Sequence, residues 1–80
     1  MLSMLLKLIT FAEHPIEIEI HHNDTLKRIK RLVYDESGIP PKHQRMVWRG
    51  RIMYNTRMTA EDYGMVSGSE VRLIMWNTPY

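Results

Sequence analysis

Four histidines, His14, His21, His22 and His43, are the side chains in this 80-residue sequence with the most versatile chemistry to offer, as metal ligands or proton carriers. Their spacing argues against both. His21 and His22 are adjacent, so on a strand they point to opposite sides and cannot reach one ion. His14 and His43 fall in separate loops, with no carboxylate at ligand spacing. The chain has no cysteine, which removes thiolate metal sites, disulfides and a thiol nucleophile together. No glycine-rich phosphate loop is present, and no Ser/His/Asp set can be argued from the order of the residues. The expectation is a protein without metal or cofactor, and not an enzyme. One charged run remains, Lys27-Arg28-Ile29-Lys30-Arg31, which could meet phosphates. It has no neighbouring exposed aromatic except Tyr34 and no RNA-binding motif. A solvated helix face is the simpler reading, and nucleic-acid binding is the alternative.

The elements that would position these residues are legible from periodicity. Residues 4–11 and 15–21 are strand-like: Ile16, Ile18 and Ile20 alternate with Glu17, Glu19 and His21, and Leu6 and Leu8 give the matching inward set. A short connection, Ala12-Glu13-His14-Pro15, makes them an antiparallel hairpin. Thr25 caps a helix from about Leu26 to Glu36, with Asp24 favouring its positive end. Leu26, Ile29 and Val33 share one face of that helix. Gly38 can take the left-handed conformation that ends a helix, and Pro40-Pro41 prevents its restart. Alternation resumes over residues 44–49, where Trp48 shares the inward face with Met46. Arg49-Gly50-Arg51 reads as a turn, Ile52-Met53 as a two-residue strand, and Thr59-Ala60-Glu61-Asp62 as one helical turn. After a turn at Gly68, Glu70–Trp76 forms the last strand, with Val71, Leu73 and Met75 inward and Arg72, Ile74 and Trp76 outward. A hairpin, a helix and further strands make an α+β pattern.

Length and composition limit the rest. Eighty residues suit one domain, here residues 1–80 with a core of about 4–76 and a short tail, 77–80. A formal net charge of +2 does not by itself imply nucleic acid. Lys7 interrupts the apolar start of the chain and no small-residue cleavage site follows, so a secretory signal is not expected. No run approaches the roughly 18 apolar residues that cross a bilayer. A soluble protein of the cytoplasm, the nucleus or both, without membrane contact, is the expectation.

Several segments are specific. Ile16-Glu17-Ile18-Glu19-Ile20, Asp24-Thr25, Ile29-Lys30, Gly38-Ile39-Pro40-Pro41, Gln44-Arg45-Met46-Val47-Trp48, Gly50 and Thr59-Ala60-Glu61-Asp62-Tyr63 stand in this order. From Met4 to about Met75 the chain resembles ubiquitin, and most closely its Nedd/Rub-type relatives, with one extra residue between Tyr54 and Tyr63. The resemblance implies a β-grasp fold, a mixed sheet with one helix packed across it. It also implies a binding surface. Phe11, Val47 and Ile74 fall on the positions of the apolar patch by which the family meets its receptors, with Gly50 beside them. In the expected fold Ile9, Arg45, Arg72 and Trp76 join them on the same face, Ile9 and Trp76 replacing long basic side chains. An apolar centre rimmed by arginine has the composition of a binding hot spot; closing a weak homodimer is the second use of such a patch.

The same resemblance marks departures. In register, Pro79-Tyr80 stand where conjugated members carry Gly-Gly, and Trp76, Asn77 and Thr78 replace an Arg/Leu alternation. Proline fixes φ and tyrosine adds bulk, both ill suited to an activating enzyme's narrow channel. Arg51 stands at the best-known chain-linking lysine. Lys30 matches a lysine paired in the family with a carboxylate, but the partner position is Asn55. Ile39 and Met75 could form a second apolar edge, which Asn77 leaves without its leucine. Tyr63 is expected to tie down the backbone near Tyr54, and Glu13 replaces a hairpin glycine. The function implied is non-covalent recognition: a ubiquitin-like module offering its apolar patch to ubiquitin-receptor-type proteins or other ubiquitin/Nedd pathway components, and not conjugated through its own C-terminus.

Overall fold

The computed structural model describes residues 3–12 and 14–75. Strand β1 (Ser3–Ile9) and strand β2 (Ile16–His21) form an antiparallel hairpin in which Leu6 faces Ile18 and Leu8 faces Ile16. The first strand stops two residues short of the expected end. Beyond Ile9 the Thr10 hydroxyl accepts the Ala12 N–H at 3.0 Å, a local bond that competes with the ladder.

Helix α1 (Leu26–Ser37) begins as the sequence predicts: the Thr25 hydroxyl accepts the Arg28 N–H at 3.2 Å. Asp24 serves the strand before it instead, its carboxylate accepting the His21 N–H at 2.8 Å. The helix ends at Gly38, whose φ of 77° is the left-handed cap and whose N–H returns to the Tyr34 carbonyl. A single 3-10 turn (Pro41–His43) then leads into β3 (Gln44–Trp48). Arg49 and Gly50 both have positive φ, 52° and 78°, the conformation that a two-residue hairpin turn requires at both centres. Strand β4 is therefore Arg51–Ile52, one residue earlier than the expected Ile52-Met53, and Met53 is buried in the core.

Thr59 to Asp62 makes the expected single turn, the Tyr63 N–H donating to the Thr59 carbonyl at 3.1 Å. Thr59 Oγ1 accepts the Asp62 N–H and an Asp62 carboxylate oxygen accepts the Thr59 N–H, each at 3.0 Å. This reciprocal pair satisfies local donors at the start of that turn. The last strand, β5 (Glu70–Met75), runs parallel to β1 and antiparallel to β3.

The strands form one mixed sheet in the order β2-β1-β5-β3-β4, with α1 packed across one face. This is the β-grasp arrangement. Leu26, Ile29 and Val33 of the helix meet Leu6, Leu8, Ile18, Ile20, Met46, Val71 and Leu73 of the sheet, all buried. Met53, Ala60 and Met65 close the core from the loops. Met75 departs from expectation. It shares the inward parity of Val71 and Leu73 but is 63% exposed, because at the end of β5 it lies beside Ser37 and Ile39, where the helix has ended.

Candidate functional site

Strand register assembles the candidate surface. Residues paired across a ladder project to the same face, and on β1, β5 and β3 the partners are Ile9 with Arg72, Arg72 with Val47, and Ile74 with Arg45. The other parity of each strand carries the buried core, so these five side chains face away from the helix. Phe11, just past the end of β1, is wholly exposed at 101%. It lines one shallow depression with Ile9, Thr10, Arg72 and Ile74. A second depression adjoins it, lined by Ile9, Val47, Gly50, Glu70 and Arg72. The two share Ile9 and Arg72. Seven of the eight residues expected here are thus brought together, and Trp76 lies outside the described residues.

One apolar neighbour was not anticipated. Val47 pairs with Ile52 of β4, and the half-buried Ile52 extends the same face by one strand. The cause is the Arg49-Gly50 turn. With two residues in the turn, Ile52 takes the parity of Val47; with three it would not. Glycine after a single residue that must also take positive φ is the sequence signal that could have placed it.

Trp48 follows its inward parity. It is half-buried against the core, and its indole N–H donates to the Tyr63 carbonyl at 3.0 Å. The Arg49 guanidinium lies 5.0 Å from the ring centroid, within the range of a cation–π contact. Tyr63 has the expected structural role: its hydroxyl donates to the Asn55 carbonyl and accepts the Asn55 N–H, both at 3.1 Å. The second apolar edge also forms, Ile39 and Met75 lining a groove with Phe11 and Ile16; Asn77 lies outside the described residues.

Electrostatics are set by arginine. Arg45 and Arg72 belong to the face and Glu70 lines its second depression, while the exposed Arg51, paired with Trp48, has the opposite parity. Lys30 is on the other side of the sheet. Its ammonium donates to the Gln44 carbonyl at 3.3 Å, and burial holds its pKa below the ordinary lysine value. Asn55 turns its side-chain oxygen to the Arg57 N–H instead. On the helix, Lys27, Arg28 and Arg31 are exposed. Among the described residues, no three His, Asp or Glu side chains gather as a metal site would require.

What this face offers is apolar area beside the guanidinium groups of Arg45 and Arg72. Comparisons with known proteins agree with the fold. The ubiquitin family profile matches residues 6–75. The chain is 39% identical over 72 residues to the NEDD8-like protein RUB3 of Arabidopsis thaliana, covering 90% of this chain and 91% of that one. It is 36% identical over 72 residues to the ubiquitin-like protein NEDD8 of Dictyostelium discoideum, covering 90% and 92%. The solved Caldiarchaeum subterraneum ubiquitin superposes with a TM-score of 0.84, covering 98% of this chain and 99% of that one. At 24% identity that likeness concerns the fold alone. With its profile matched over most of its length and its relatives of the Nedd/Rub type, the chain belongs to the ubiquitin family.

Proposed function

We propose that this chain is a non-covalent ubiquitin-like interaction module, one domain over residues 1–80 that presents its apolar sheet face to ubiquitin-receptor-type proteins of the cytoplasm or nucleus. The observation that carries the reading is the pair of adjoining depressions sharing Ile9 and Arg72. Together they set Phe11, Ile74 and Val47 in one continuous strip with arginine beside it. Burying the aromatic and aliphatic centre supplies affinity, and the arginines select partners with acidic rims. The module is neither an enzyme nor a conjugated tag: in register, Pro79-Tyr80 occupy the place of Gly-Gly, and a proline ring and a phenol obstruct an extended, side-chain-free path.

An amide NMR titration of the labelled chain tests this, using small ubiquitin-receptor domains and, separately, a short RNA. Shifts clustered at Phe11, Val47, Gly50 and Ile74 with a receptor domain support the reading. Silence there, with RNA moving Lys27, Arg28 and Arg31, overturns it in favour of nucleic-acid binding.

A further inference from the structure

Among the described residues, β2 is the outermost strand on its side of the sheet, paired with β1 and with nothing beyond it. Which of its backbone groups face the open edge follows from one residue. His21 sends its N–H to the Asp24 carboxylate and receives the Asp24 N–H on its carbonyl, at 2.8 and 2.9 Å. Its main chain therefore points away from β1. Backbone groups alternate along a strand, so Glu19 and Glu17 also direct N–H and C=O outward, while Ile16, Ile18 and Ile20 bond to β1. Pro15 has the outward parity too, and a proline's missing N–H is tolerated only on such an edge. The open segment is thus bounded by Pro15 at one end and by the Asp24 bonds at the other. Among the described residues nothing pairs with its four outward groups, the N–H and C=O of Glu17 and Glu19.

The two faces flanking this edge differ. Glu17 and Glu19 project their carboxylates on the outer sheet face, both exposed, opposite Lys7 and Leu5 of β1. On the inner face lies the helix. Lys30 reaches β3, and Leu32, about 200° further round the helix, occupies the opposite flank, toward β2. It is half-buried against the core. A strand added here would alternate between carboxylates on one side and an aliphatic flank on the other.

The geometry points to an extended protein segment alternating basic and apolar residues as the occupant of the β2 edge, pairing its backbone with Glu17 and Glu19. This is β-augmentation, on a surface separate from the strip of Phe11, Val47 and Ile74. A second copy is a poor occupant, because antiparallel β2–β2 pairing would set Glu17 and Glu19 against the same carboxylates.

The test uses the whole labelled chain and a synthetic octapeptide alternating lysine and valine. The expected result is slowed hydrogen exchange and shifted amides at Glu17 and Glu19. The same peptide N-methylated at alternate residues loses those bonds and should bind roughly tenfold more weakly. An octapeptide alternating glutamate and valine should leave the edge untouched. Charge reversal, Glu17→Lys with Glu19→Lys, should exchange the preference between the two peptides. Equal binding by the N-methylated peptide would reduce the contact to charge alone and overturn strand addition. So would lysine–valine binding that leaves Glu17 and Glu19 unprotected, or no binding at all. If the reversed chain fails to fold, the N-methyl comparison on the native chain still decides.

Discussion

Gln44 and Lys30 lace β3 to the helix in both directions. The Gln44 amide donates to the Lys30 carbonyl at 2.9 Å, and the Lys30 ammonium donates to the Gln44 carbonyl at 3.3 Å. The same amide nitrogen donates to the Ile39 carbonyl at 2.8 Å, so one buried side chain joins the helix, the segment after it and the strand that carries Arg45 and Val47. Gln44→Ala should lower stability by about 1–3 kcal/mol, since it strips two part-buried carbonyls of this donor. Urea unfolding measures this, and an unchanged midpoint would remove Gln44 from that role.

Lys30 makes the stability depend on pH in a definite direction. Burial penalises its charged form, so its folded pKa lies below the ordinary 10.5. Between the lowered value and 10.5 the unfolded chain holds more protons than the folded one, and stability rises with pH across that window. Lys30→Met removes this contribution while other groups titrate alike in both chains. The difference in unfolding midpoint between the native chain and Lys30→Met should therefore move in favour of the native chain as pH rises toward 10.5. A difference independent of pH would contradict the assignment.

Tyr63→Phe removes the phenol oxygen that both donates to and accepts from the Asn55 backbone. The loss should be about 1 kcal/mol, because the site is open enough for water to take over part of the bonding. The Trp48 bond to the Tyr63 carbonyl involves the main chain and should persist. Tryptophan fluorescence of the folded variant would then match the native spectrum while the unfolding midpoint falls.

Val47→Glu separates binding from folding. Val47 lies on the outer face and is only half-buried, so the substitution should leave the fold intact at a cost of about 1 kcal/mol. A carboxylate desolvated at the centre of an apolar contact should weaken receptor-domain binding by roughly a hundredfold. Normal binding by this variant would mean that the partner surface lies elsewhere.

Whatever depends on neighbours in the chain was legible in the order of the residues. Alternation in Ile16–His21 assigned an inner and an outer face, because side chains on a strand must point to opposite sides. Thr25 and Gly38 marked the helix ends, since a hydroxyl cap and a left-handed glycine act within a few residues. The outward parity of Arg72 and Ile74 came from the same alternation; that Ile9 and Val47 share their face followed from the fold the resemblance implies.

Questions that turn on distant segments were settled only by packing. Met75 has the right parity for burial but stands out in solvent, because the helix that would cover it has already ended beside Ile39. Ile52 entered the strip through a turn whose length depends on Arg49 adopting positive φ. Lys30 found the Gln44 carbonyl, and Asn55 turned to its own loop. Parity and capping are properties of a few consecutive dihedrals. Burial and the choice of hydrogen-bond partner depend on which remote atoms come to rest against a residue, and that is set when the sheet and helix pack.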